Sequence, residues 1–122
     1  MKKILIVEDD LDDQSSFKEA IGALGKELHY QIANNGHEAI EFLEKMTSVD
    51  LIFLDLNMPL LDGFETLRTL KETEKYSNIP IYILSTSNNE GDKSLCSQLG
   101  AKEFVTKPTS LKEFCAWLNK VI

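Results

Sequence analysis

Acidic side chains follow two apolar runs of this sequence, at the point where each run ends. Glu8 and Asp9 come directly after Ile4–Val7. Asp55 comes directly after Leu51–Leu54. If both runs are strands of one parallel sheet, their carboxyl ends meet at the same edge and the carboxylates crowd together. Crowded carboxylates repel one another unless a cation joins them, so this spacing predicts a site for a hard divalent metal ion.

Two further apolar runs end on side chains that can form hydrogen bonds or carry a positive charge. Ser85 and Thr86 follow Ile81–Leu84. Lys107 follows Phe104–Thr106 and precedes a proline. The hydroxyls suit a ligand oxygen, and the ammonium suits a carboxylate or phosphoryl oxygen across the same edge. The alternatives are strand-end capping for the hydroxyls and an ordinary surface lysine before a turn. Neither motif decides the matter alone.

The remaining acids of the first loop have a simpler interpretation as a solvated loop and a helix cap. This interpretation suits Asp10, Asp12 and Asp13, which lie just before or at the start of a helical pattern. It does not suit Asp55, because a carboxylate within an apolar strand is costly to bury without a partner. The residues therefore favour a functional role for Asp55.

Composition limits the classes of protein to which the chain can belong. The 122 residues suit one domain, predicted over residues 1–122, and 43% of them are hydrophobic. The net charge of −7 argues against direct binding of nucleic acid. Cys96 and Cys115 lack metal-type spacing and indicate reduced thiols. Neither a signal peptide nor a membrane-spanning run is present in the sequence, so a cytoplasmic location is predicted.

Apolar runs alternate with amphipathic stretches along the whole chain, which predicts five β/α pairs. The predicted strands are Lys3–Val7, His29–Ala33, Leu51–Leu54, Ile79–Leu84 and Glu103–Val105. The predicted helices are Asp12–Leu24, one capped by Asn35 with Glu38, one capped by Asp62 with Glu65, a short one ending near Gly100, and one capped by Ser110 with Glu113. Such alternation predicts an α/β fold, with a doubly wound parallel sheet and helices on both faces.

Taken together and in this order, the motifs resemble the receiver domain of bacterial two-component response regulators, including chemotaxis regulators. The resemblance runs from Lys3 to Val121. The matching residues are Ile4–Asp10, Ala33–Gly36 with Glu38 and Ala39, Asp55–Pro59 with Asp62 and Gly63, Pro80 through Ser85 and Thr86, and Lys107 with Pro108. The resemblance implies a flavodoxin-like sheet with strand order 2-1-3-4-5, an order that spacing alone does not establish.

The resemblance also implies phosphotransfer. Asp55 would accept a phosphoryl group from a sensor histidine kinase or a histidine phosphotransfer protein, which makes the chain a signalling phosphoacceptor rather than an enzyme. Glu8, Asp9, Asp55 and the backbone carbonyl of Asn57 would hold Mg²⁺, with Mn²⁺ as a possible substitute. Lys107 would pair with the phosphoryl group, and Ser85 would donate a hydrogen bond to it. In this family the Lys107–Pro108 peptide bond is cis.

Switching and its tuning are implied in the same way. Ser85 and Phe104 would move inward on phosphorylation and remodel the surface of helix 4, strand 5 and helix 5, where a downstream protein docks. This would place Phe104 and Trp117 on or near the output face, although both are also compatible with ordinary packing. Asn57, Thr86 and Ser87 occupy positions that tune dephosphorylation.

Other functions stay open at this point. A Mg²⁺-dependent phosphohydrolase that uses Asp55 as its nucleophile would usually have a second acid nearby, whereas Asn57 stands two residues on. A receiver that works only as a binding module would not need the full set of acids, hydroxyl and lysine. A flavodoxin-like cofactor protein is disfavoured because carboxylates repel phosphate in the absence of a metal. The chain is either a stand-alone receiver or one domain of a longer regulator.

Overall fold

The computed structural model of the protein describes residues 2–56 and 63–122. Strands and helices alternate throughout. The strands are β1 (Lys2–Val7), β2 (Leu28–Ala33), β3 (Leu51–Asp55), β4 (Ile81–Ser85) and β5 (Glu103–Thr106). The helices are α1 (Leu11–Leu24), α2 (Gly36–Lys45), α3 (Gly63–Glu72), α4 (Glu90–Gln98) and α5 (Leu111–Val121).

The five strands form one sheet in the order β2-β1-β3-β4-β5. All four strand pairs are parallel. The predicted doubly wound α/β fold and its strand order are therefore confirmed. The chain runs from β1 to β2 and then crosses back over β1 to form β3 on the other side of β1, so the strand order reverses there. This reversal is the switch point where such sheets bind ligands.

The central strands are apolar throughout because helices cover both of their faces. In β1, Ile4 to Val7 are at most 1% exposed. Leu5 and Val7 pack with α2, α3 and α4, whereas Ile4 and Ile6 pack with α1 and α5. Two hydrophobic layers result, one on each face of the sheet. This arrangement explains why β1, β3 and β4 appear in the sequence as nearly continuous apolar runs rather than alternating ones.

The predicted caps are partly correct. Asn35 and Ser110 cap α2 and α5, and their side chains accept hydrogen bonds from the backbone N–H groups of Glu38 (2.9 Å) and Glu113 (3.1 Å). Glu38 does not return this bond to Asn35, because its carboxylate accepts from the backbone and side-chain N–H groups of Asn34, both at 3.0 Å. The predicted cap Asp62 lies outside the described residues.

The predicted strand boundaries differ from the observed ones by at most one residue, except at the start of β4, where the difference is two residues and has a local reason. The sequence predicts a fourth strand from Ile79, whereas β4 begins at Ile81. The N–H of Ile79 donates to the carbonyl of Tyr76 at 3.1 Å, which holds Ile79 in a turn. Pro80 follows and has no N–H to contribute to a strand ladder.

Within the described residues, no helix combines the length and the apolar character that crossing a membrane requires.

Gly63 begins α3 where the backbone at the end of β3 passes very close. A Cβ on Gly63 would lie 2.5 Å from the Leu56 Cα and 2.7 Å from the Asp55 carbonyl oxygen. Because these are backbone atoms, no side-chain rotation relieves the clash. We expect Gly63→Ala to lower the free energy of unfolding by about 2 kcal/mol, measured by urea denaturation.

Gly22 supplies the matched control for this substitution. It lies in α1, and a Cβ there would meet nothing within 4 Å. Gly22→Ala should therefore be neutral, or stabilising by up to about 1 kcal/mol through helix propensity. Equal stabilities of the two variants would contradict a close approach at Gly63.

Candidate functional site

Three carboxylates meet at the carboxyl edge of the sheet, as the sequence predicts. Glu8 follows β1, Asp9 comes next, and Asp55 is the last residue of β3. Each offers an oxygen atom, and these oxygens all lie within 4.8 Å of one another. Glu8 is 1% exposed and Asp55 is 4% exposed, while Asp9 is half-buried. Among the described residues, this group has the donor set that a hard divalent cation requires.

The strand register explains why these acids meet. Val7 of β1 pairs with Leu54 of β3, so the next residues, Glu8 and Asp55, extend from the sheet at the same level. The backbone of this edge stays paired. The N–H of Glu8 donates to the carbonyl of Ala33 at 2.9 Å, which extends the β1–β2 ladder by one residue. The carboxylates of Glu8 and Asp55 are therefore held by hydrogen-bonded sheet backbone rather than by a free loop.

Lys107 supplies a positive charge to the same cluster. Its Nζ lies 2.6 Å from Asp13 Oδ2, 3.0 Å from Glu8 Oε1 and 3.4 Å from Asp55 Oδ1. The Lys107 backbone N–H donates to the carbonyl of Ser85 at 2.8 Å, which fixes the chain directly after β5. The lysine thus crosses the edge of the sheet to reach carboxylates, and it is not an ordinary surface lysine.

The charges of the cluster shift two pKa values. Burial raises the pKa of Glu8 to about 8, and the charge of Asp55 adds to this effect, while Lys107 opposes it. Burial alone would lower the pKa of Lys107, but the hydrogen bond from Lys107 to Asp13 and the charges of Glu8 and Asp55 outweigh burial and raise it. Lys107 is therefore a cation at neutral pH. With one cation among several acids, the site favours the binding of a further positive charge.

Ser85 ends β4 next to the acids and is completely buried. Asp55 pairs in register with Leu84, so Ser85 lies one position beyond Asp55 along the neighbouring strand. The Ser85 Oγ accepts a hydrogen bond from the Ser87 N–H at 3.0 Å. The Ser85 Oγ accepts this bond through a lone pair, so the bond does not use the hydrogen of the hydroxyl. Thr86 is exposed and Ser87 is half-buried.

Phe104 and Trp117 lie on opposite faces of the sheet. Phe104 is half-buried and packs against the layer formed with α2, α3 and α4. Trp117 packs on the other face, with its ring 5.4 Å from Phe53 and 5.9 Å from Tyr82. The Trp117 Nε1–H also donates to Glu103 at 3.2 Å. Trp117 is therefore part of an aromatic cluster rather than a neighbour of Phe104.

Two site residues were not identified from the sequence. Asp13 was assigned to a solvated cap, but it makes the shortest contact with Lys107. Its signal was its spacing, because the predicted helix Asp12–Leu24 places Asp13 in the first turn, where side chains point back over the preceding turn. Gln14 is buried and donates to the Glu8 carbonyl at 2.6 Å and to Asn34 Oδ1 at 2.8 Å. No sequence motif indicated the contacts of Gln14.

Two expectations at this site have other outcomes. The Lys107–Pro108 bond was expected to be cis, and in the structure it is trans. The trans isomer is the one that X–Pro bonds generally prefer. Asn57, whose backbone carbonyl was expected to join the metal ligands and whose side chain was expected to tune dephosphorylation, lies outside the described residues.

Comparisons with known proteins agree with this geometry. A family model described as the response regulator receiver domain matches residues 4–119. The transcriptional regulatory protein CpxR of Escherichia coli K12 is 32% identical over 122 residues, which are 100% of this chain and 50% of CpxR. The chain therefore spans about half the length of the first curated relatives it matches.

Two solved structures are similar over nearly their whole length. The Mn²⁺-bound form of response regulator Rcp1 has a TM-score of 0.87 and 31% identity, over 99% of this chain and 91% of that one. The phosphorylated cyanobacterial phytochrome response regulator RcpA has the same TM-score and identity, over 98% and 90%. The resemblance to receiver domains is confirmed.

Replacement of Lys107 tests the balance of charge in the cluster. Lys107→Met leaves Glu8, Asp13 and Asp55 without their shared ammonium, so the metal-free protein should lose about 3 kcal/mol of unfolding free energy. Mg²⁺ should stabilise this variant more than it stabilises the wild type, because the ion no longer competes with an ammonium. Urea denaturation followed by Trp117 fluorescence measures both effects.

The control is Lys93→Met, which removes a surface ion pair with Glu90 at 3.6 Å. Its effect should be within about 0.5 kcal/mol. Equal stabilities of the Lys107 and Lys93 variants would show that the ammonium does not hold the carboxylates together.

Proposed function

The chain belongs to the response regulator receiver domain family, and we propose that it works as a signalling phosphoacceptor with Asp55 as the residue that takes the phosphoryl group. The observation that carries this proposal is the environment of Asp55. Its carboxylate is buried, lies among metal-type oxygen donors and has the Lys107 Nζ at 3.4 Å. A carboxylate beside an ammonium and a set of metal ligands is arranged to approach an electron-poor phosphorus, because these groups offset the charge on the phosphoryl oxygens.

Phosphoryl transfer requires alignment and positive charge more than covalent chemistry from the protein. An Asp55 oxygen would form the new bond to phosphorus while the bond from phosphorus to the donor's imidazole nitrogen breaks. The electron pair of the broken bond leaves with the imidazole. Lys107 would offset the charge on the oxygens of the transferring phosphoryl group, and the Ser85 hydroxyl would donate a hydrogen bond to one of them. The product is an acyl phosphate on Asp55.

We propose Mg²⁺, with Mn²⁺ as a substitute, as the ion for the acidic site. Glu8, Asp9 and Asp55 would hold it, and the backbone carbonyl of Asn57 is assigned from the family resemblance alone. The bound ion would neutralise charge on the transferring phosphoryl group. Three carboxylates and few other protein donors suit Mg²⁺, which retains several water molecules. The similarity to Mn²⁺-bound Rcp1 supports a divalent cation.

The proposed partners follow from this chemistry. A sensor histidine kinase or a histidine phosphotransfer protein would donate the phosphoryl group, and a downstream protein would dock on the surface formed by α4, β5 and α5. The net charge of −7 supports a protein partner rather than nucleic acid or a membrane surface. A cytoplasmic location is proposed from the sequence patterns alone. We class the chain as a phosphoacceptor that assists its own reaction, rather than as a turnover enzyme.

Switching would begin at Ser85. A phosphoryl group on Asp55 would draw the Ser85 hydroxyl toward it, and Phe104 on the adjacent strand would repack. Ile83 and Phe104 pair in register between β4 and β5, so a shift at the end of β4 reaches Phe104 through neighbouring backbone. Thr86 and Ser87 follow Ser85 in the same loop, and we propose that they tune how long the phosphoryl group persists.

Phosphorylation of Asp55 can be measured by intact mass. After incubation with Mg²⁺ and acetyl phosphate, the protein should gain one phosphoryl group, and Asp55→Asn should gain none. Asp50→Asn is the matched control, because Asp50 precedes the same strand and binds the Lys3 N–H at 2.8 Å at the opposite edge of the sheet. This control should be modified like the wild type. An adduct of equal size on Asp55→Asn would contradict the assignment.

The metal ligands can be tested by calorimetric titration with Mg²⁺. Glu8→Gln and Asp9→Asn should each weaken Mg²⁺ binding by roughly tenfold or more, because each removes a charged oxygen donor. Asp12→Asn changes the same charge on an exposed residue nearby and should alter the affinity less than about twofold. If all three variants bind Mg²⁺ equally well, the acidic cluster is not the metal site.

A further inference from the structure

Among the residues that the structure describes, Asp13 is the acid closest to the Lys107 ammonium. The Lys107 Nζ is 2.6 Å from Asp13, compared with 3.4 Å from Asp55. The Asp13 backbone is fixed in turn, because its N–H donates to the cap carboxylate of Asp10 at 3.0 Å. The Lys107 ammonium is therefore held more closely by the first turn of α1 than by the proposed phosphoacceptor.

Asp13 differs from the other partners of Lys107 in two respects. It is not a member of the group whose oxygens meet within 4.8 Å, which contains Glu8, Asp9 and Asp55. Its side chain is also 38% exposed, whereas those of Glu8 and Asp55 are 1% and 4% exposed. Water can therefore replace Lys107 at the Asp13 carboxylate at a modest cost, which is not true of the buried acids.

A divalent cation would change the balance among these contacts. It would share Glu8 and Asp55 with Lys107 and so weaken both of those contacts, but it would not take the Asp13 carboxylate. With a metal ion bound, Asp13 would thus become the principal partner of Lys107. A phosphoryl group on Asp55 then competes with Asp13 for the same ammonium.

We propose that Asp13 is a positioning residue that sets the resting place of Lys107 and opposes its transfer to the phosphoryl group. The inference rests on the proposed function of Asp55 and adds a control to it. Asp13 makes the phosphorylated arrangement harder to reach, because the Asp13–Lys107 contact must open first. The start of α1 thereby becomes part of the phosphorylation switch.

The test uses beryllium trifluoride, an acyl-phosphate mimic that needs no kinase, titrated calorimetrically into the full chain at saturating Mg²⁺. Asp13→Asn should bind the mimic roughly three- to tenfold more tightly than the wild type, because the competing charge is gone. Asp12→Asn removes the same charge from an exposed neighbour and should change the affinity less than about twofold. Equal affinities of the two variants, or weaker binding by Asp13→Asn, would overturn the proposal.

A double-mutant cycle with Lys107→Met shows whether Asp13 acts through the lysine. In the Lys107→Met background, Asp13→Asn should affect the affinity no more than Asp12→Asn does, because the ammonium that Asp13 holds is absent. A gain that persists in this background would overturn the proposal. The comparison of Asp13→Asn with Asp12→Asn does not depend on the folding of Lys107→Met.

The wild type separates this proposal from the proposed function. If wild-type protein binds no mimic and Asp55→Asn behaves identically, the phosphoacceptor assignment itself fails. If the wild type binds the mimic and loses it on Asp55→Asn, the assignment stands, and only the Asp13 comparison decides the role of Asp13.

Discussion

Lys107 holds together carboxylates that would otherwise repel one another. Its ammonium lies near Glu8 directly after β1, Asp13 in α1 and Asp55 in β3. Glu8 and Asp55 are almost completely buried. Burying like charges is costly, and one cation offsets only part of that cost. The remaining negative charge is what gives the edge of the sheet its affinity for a divalent ion. The same cluster of carboxylates therefore needs a cation for its stability and provides the oxygen ligands for a divalent ion.

The parallel sheet makes this concentration of charge possible. Every strand points the same way, so every strand ends at the same edge, and residues 99 positions apart in the chain come within hydrogen-bonding distance there. The two apolar layers support this edge from both faces. The close approach of Gly63 to the Asp55 and Leu56 backbone shows how tightly the end of β3 is packed against the helix that follows it.

The site is connected to the rest of the molecule through short hydrogen-bonded turns. The Ser85 Oγ accepts from the Ser87 N–H at 3.0 Å, and the Ser87 Oγ accepts from the Asn89 N–H at 3.1 Å. Asn89 is the N-cap of α4. A displacement of the Ser85 hydroxyl would therefore disturb the hydrogen bonds that connect it to the beginning of α4. On the opposite side, Asp13 connects Lys107 to α1, so two helices can respond to the charge on Asp55.

The sequence alone determined the elements and the candidate acids, because both depend on local patterns. Apolar runs of strand length, caps such as Asn35 and Ser110, and an acid at the end of a buried strand can each be recognised within a few residues. The strand order required the family resemblance, since spacing does not state which strands are neighbours. Tertiary structure alone decided the partners of Lys107, the placement of Phe104 and Trp117 on opposite faces, and the buried position of Gln14. Asp13 shows the reason most clearly. Its local pattern indicates a helix start, and its role depends on an ammonium 94 residues away that only the folded sheet brings to it.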